Sequence, residues 1–109
     1  MNENNFEISI DHAFNGNGDA EFLIRITNQF IEINVYIPSS QAEELKKLNL
    51  DSTEYIRLGE SANSPVHWKK GDDRDLYLLI GEDCESWDIA LTISTELVTE
   101  IINGIDDLT

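Results

Sequence analysis

The stretch Trp87-Asp88-Ile89-Ala90-Leu91-Thr92-Ile93-Ser94-Thr95-Glu96-Leu97-Val98-Thr99-Glu100-Ile101-Ile102-Asn103-Gly104-Ile105 contains a change of hydrophobic period that decides the fold class. In its first half Trp87, Ile89, Leu91 and Ile93 alternate with Asp88, Ala90 and Thr92, which is the two-residue period of a β-strand. After Ser94 the apolar residues recur as Leu97, Val98, Ile101, Ile102 and Ile105, a stripe along one face of an α-helix. Ser94 or Thr95 supplies the N-cap oxygen, Glu96 stands in the first turn where the helix dipole favours an anion, and Gly104 predicts an early end to the helix. A strand thus runs into a helix whose stripe needs a sheet to pack on.

Upstream, residues 76–80 predict a partner strand, and Gly81-Glu82-Asp83-Cys84-Glu85-Ser86 joins the two as a hairpin. At the other end of the chain, Phe6, Ile8 and Ile10 alternate with Glu7, Ser9 and Asp11. Asn15-Gly16-Asn17-Gly18 then reads as a turn, since asparagine and glycine tolerate positive φ. Strands follow over residues 21–27 and 30–37, linked by Asn28-Gln29, so the first third is an antiparallel meander.

Pro38 stops this ladder, and Ser40 with Glu43 has the form of a capping box opening a helix of about two turns. Ala42, Leu45 and Leu48 share its inner face. Between Asp51 and Lys70 the pattern weakens: residues 54–58 read as a strand, 60–64 as a loop and 65–69 as a short edge strand, where proline is tolerated. The expected architecture is α+β, a largely antiparallel β-sheet with a short central helix and a C-terminal helix packed on one face. Length fits one domain over residues 1–109.

Composition narrows the function. Against 22 acidic side chains stand 7 basic ones, for a formal net charge of −15. Such a field repels phosphate backbones and anionic lipid surfaces and attracts basic proteins, so direct nucleic-acid binding and membrane association are not expected. The competing explanation is that the acidity serves only solubility. The longest apolar runs fall well short of the roughly 20 residues of a membrane span, and the first residues show no basic or apolar leader, which makes the cytoplasm the expected location. The single cysteine, Cys84, cannot form an internal disulfide.

Catalytic chemistry finds little purchase. His12 and His67 are isolated from one another in sequence, and Ser64, three residues from His67 in an expected loop, does not make a triad. Asp83 and Glu85 flank Cys84, and their charge disfavours a reactive thiolate. No cysteine or histidine pair has zinc-ligand spacing, and the acids around residues 72–88 lack the order of a calcium loop. Gly16-Asn17-Gly18 lacks the third glycine of a dinucleotide fingerprint. The expectation is a protein that is not an enzyme and has no metal and no cofactor.

The remaining signal is a surface. Asp72, Asp73, Asp75, Glu82, Asp83, Glu85 and Asp88 crowd one segment with only Arg74 among them. A hairpin over that segment puts Asp72, Asp73 and Asp75 at its open end and Glu82, Asp83 and Glu85 at its tip, making two acidic patches. Trp68, flanked by His67, Lys69 and Lys70, reads as an exposed aromatic anchor, while Trp87 reads as core. Together, Trp68 and these six acids form the candidate partner-binding set.

With its small size, its acidity and the strand Ser86-Trp87-Asp88-Ile89-Ala90-Leu91 leading into a helix at Ser94, the chain resembles the immunity proteins of bacterial contact-dependent growth inhibition and related polymorphic toxin systems. The resemblance is one of type and assigns no residue a role. It implies a cytoplasmic protein that binds and neutralises a cognate toxin domain, often a basic nuclease. Two other readings stay open: a nucleic-acid mimic that inhibits a DNA-binding, restriction or CRISPR protein, and a non-catalytic subunit or scaffold domain. Oligomeric state is open in all three.

Overall fold

Alternating apolar and polar residues make strands almost everywhere the chain allows them. The computed structural model describes residues 6–49, 55–70, 75–82 and 87–108. The strands are β1 (Glu7–Phe14), β2 (Ala20–Thr27), β3 (Glu32–Pro38), β4 (Tyr55–Ser61), β5 (Ser64–Lys70), β6 (Asp75–Gly81) and β7 (Trp87–Ser94). They form one sheet in chain order, each strand antiparallel to the one before it. A 3₁₀ helix (Ser39–Asn49) separates β3 from β4, and α1 (Thr95–Leu108) follows β7. This is the expected α+β architecture, and no described helix is long and apolar enough to cross a membrane.

Asparagine side chains shape the first two turns. The Asn15 Oδ1 accepts the backbone N–H groups of Asn17 and Asp19 at 2.8 and 2.9 Å, and Gly18 takes the positive φ of 85° that closes the turn. The Asn28 Oδ1 accepts those of Phe30 and Ile31 at 2.8 and 3.0 Å. That second turn is therefore longer than Asn28-Gln29. It carries Phe30 outside the sheet, 85% exposed, and delays β3 to Glu32.

The expected loop over residues 60–64 is a tight hairpin instead. β4 continues to Ser61 and β5 begins at Ser64, leaving only Ala62 (φ 52°) and Asn63 (φ 67°) between them. Two successive positive φ values give the twist of a type I′ turn, which matches the twist of paired strands. β5 is also a central strand, lying between β4 and β6, and not an edge. Pro65 is tolerated there because it falls at the hairpin end, opposite Glu60.

The central helix is 3₁₀, and its sequence spacing fits that geometry. Ala42 and Leu45, three residues apart, are both buried, as three residues per turn requires for side chains on one face. Leu48 continues the spacing.

One cluster of buried side chains runs from Phe22, Ile24 and Ile26 of β2 through Val35, Leu58, Trp68, Leu78 and Ile93 to Val98, Ile101 and Ile105 of α1. All the strand members point to the face carrying the two helices. Ser94 caps α1, its Oγ accepting the Leu97 N–H at 3.2 Å. Gly104 does not end the helix, which continues to Leu108. A Cβ added at Gly104 would lie 2.6 Å from the Cγ1 of Ile10, so glycine is what lets α1 settle against β1.

That contact reveals the shape of the sheet. Seven flat strands would separate β1 from β7 by roughly 29 Å. From Ser94 to Gly104 a helix advances only about 15 Å. The sheet must therefore curl around α1, bringing its first strand toward its last.

Candidate functional site

The period of two assigns every strand residue a face, and pairing carries that assignment across the sheet. Ile56, Trp68, Leu78 and Leu91 occupy one row through successive pairings of β4, β5, β6 and β7. This row lies on the helix side, which corrects the reading of Trp68 as an exposed anchor. Trp68 is 0% exposed, and its Nε1–H donates to the Leu58 carbonyl at 2.9 Å. Its charged neighbours misled because in a strand adjacent residues face opposite ways: Lys69 is exposed while Trp68 fills the core.

The hairpin expected over residues 76–93 is present. β6 pairs β7 from Asp75 opposite Ser94 to Gly81 opposite Trp87, with a register shift between Ile80 and Gly81. Asp75 stands at one end of this hairpin and Glu82, exposed, just past the other, about 24 Å apart at strand rise. Asp72, Asp73, Asp83 and Glu85 lie outside the described residues, as does Cys84.

On the opposite face from the helices, the strands carry the described exposed or half-exposed cations Arg25, Arg57 and Lys69. Arg25 pairs loosely with Asp11 at 3.9 Å and Glu32 at 3.5 Å, both in solvent-exposed geometry. His67 shares this face yet is buried, its Nε2 donating to the Gly81 carbonyl at 3.4 Å. His12 is on β1, its ring centroid 5.7 Å from that of Phe22. The two histidines thus lie on β1 and β5, with three strands between them. Among the described residues no group of three or more His, Cys, Asp or Glu side chains is gathered to hold a metal ion.

The same far face also carries Glu7, Asp11, Glu21, Glu32 and Glu60, and the helix side is acidic as well. α1 exposes Glu96, Glu100, Asp106 and Asp107 and contains no lysine or arginine. Where α1 meets the start of β1, a cleft of about 460 Å³ is lined by Phe6, Glu7, Ile8 and Glu100 among others.

Sequence reasoning missed a second cleft, of about 430 Å³, between β3 and β4. These strands share a single register pair, Tyr36 with Glu60. Gly59, at φ 85°, sits in a bulge where a Cβ would come within 2.6 Å of the Tyr36 carbonyl oxygen. Glu21, Tyr36, Arg57 and Glu60 line the opening. The available signal was the glycine itself, since glycine inside a strand marks a bulge or a close backbone approach.

Compared with known proteins, the chain matches no protein-family model, no curated protein and no solved structure.

Proposed function

We propose that this chain is a non-catalytic binding protein that captures a basic protein partner and neutralises it, in the manner of an immunity protein acting on a cognate toxin domain. The observation that carries the proposal is the excess of acid on both sides of the sheet. α1 presents Glu96, Glu100, Asp106 and Asp107 with no cation of its own, and on the far face Glu7, Asp11, Glu21, Glu32 and Glu60 outnumber Arg25, Arg57 and Lys69. Such a field attracts an approaching cationic surface and raises its association rate, which suits fast capture of a harmful enzyme.

The nucleic-acid-mimic alternative calls for evenly spaced carboxylates. Along α1 the row Glu96, Glu100 is interrupted by Asn103 before Asp107, which favours a protein partner over a DNA-like surface. The test is co-expression with the product of the adjacent reading frame in the native host. The expected result is co-purification, rescue from that product's toxicity, and an association rate that falls at least tenfold between roughly 0.05 and 0.5 M salt. Toxicity without rescue, or an association rate indifferent to salt, overturns the proposal. Competition by duplex DNA would transfer the assignment to the mimic.

A further inference from the structure

The strand order leaves β1 and β7 as the two edges among the described residues. They are built differently. β1 carries Glu7, Asp11 and His12. Charged side chains are a usual way of blunting an edge. β7 has neither lysine, arginine nor proline, and its only ionisable residue, Asp88, stands near its beginning. It keeps unbroken register with β6 from Ile89 to Ser94.

A second observation is that the apolar face is less covered beside β7. Val66, Ile80 and Ile89 form one row on the helix side of the sheet. Val66 and Ile80 are buried, yet Ile89 is 39% exposed. The core runs out of cover at the point where no further strand follows. A strand added to β7 would pair its outward N–H and C=O groups and extend this row over Ile89.

Charge decides which strand. The apolar middle of β7 is bracketed by acidic positions, Glu82 and Asp88 at one end, Asp75 and Glu96 at the other. A second copy pairing antiparallel would bring these acidic ends together, between molecules of net charge −15 each. A cationic segment meets them favourably. Resting on the reading of the partner as basic, we infer that the free edge of β7 docks an extended segment of that partner. The segment is neutral and β-branched in its middle and carries Lys or Arg at both ends, about seven residues apart.

The test uses the intact chain and a synthetic octapeptide of alternating threonine and valine with lysine at both termini. Amide exchange followed by NMR should show at least tenfold slowing at alternate residues between Ile89 and Ile93 when this peptide is added. The same peptide with glutamate at both ends should bind at least tenfold more weakly, and Ile89→Lys should weaken the lysine peptide to a similar extent. No added protection in β7, equal binding of the two peptides, or β7 already protected by self-association in the peptide's absence overturns the inference. The two proposals fail separately. A natural basic partner captured while β7 amides stay unprotected sinks the edge assignment alone. Peptide protection of β7 with no rescue by co-expression sinks the neutralising function and leaves the edge assignment standing.

Discussion

Two residues show how position, more than residue type, sets a role here. Gly59 occupies the left-handed region against the Tyr36 carbonyl, with Ile37 and Val35 side chains also close. Gly59→Ala therefore adds both a strained φ and a clash with backbone, and should cost about 2–3 kcal/mol in urea denaturation. Its loss should also close or distort the cleft lined by Arg57 and Glu60. Trp68 is the other case. Trp68→Phe keeps most of the packed volume but removes the 2.9 Å bond to Leu58, so it should lower stability by about 1–3 kcal/mol. Because the indole is wholly buried, calorimetric titration should find the affinity for a captured partner unchanged. A drop in affinity at full stability would return Trp68 to the binding surface.

At the scale of elements, the turn between β4 and β5 is an opportunity for stabilisation. Alanine is a poor occupant of φ 52°, and the type I′ turn prefers asparagine followed by glycine. Ala62→Asn combined with Asn63→Gly should raise stability by about 1 kcal/mol, read as a higher thermal midpoint. The same turn explains why this hairpin was hard to read. Ser61-Ala62-Asn63-Ser64 carries no asparagine–glycine pair, and the bulge at Gly59 breaks the alternation that made β1, β2, β3, β6 and β7 legible. Leu58 and Glu60 share sequence parity, but one is buried and the other exposed. The helix after Ser94 was legible because its cap and stripe are local properties. Its passage beyond Gly104 was not, because a glycine that ends a helix and one that admits a neighbouring strand look the same until Ile10 is known to lie opposite. Trp68 posed the same difficulty: its burial follows from β5 being central, a fact of topology. Of the candidate site, the hairpin that positions Asp75 and Glu82 followed from alternation, whereas the half-covered Ile89 and the cleft at Arg57 depend on which strands adjoin.

For the whole molecule, the net charge of −15 is a standing strain. Mutual repulsion among carboxylates opposes the compact state, and salt relieves it. The thermal midpoint should therefore rise as sodium chloride increases from about 0.02 to 0.5 M, while capture of a basic partner slows over the same range. A midpoint that falls or stays constant would show that the acids are already balanced within the fold. The contact of α1 with β1 bears on how the protein is made. Synthesis proceeds from β1 toward α1, so the inner side chains of β1 emerge first and receive their cover last. Until α1 has left the ribosome, Ile8 and Ile10 have no helix to lie against, and the nascent sheet cannot lock. A chain cut short before residue 95 would retain every described strand and still lack the piece that ties the first to the last. Such a fragment should be prey for proteases.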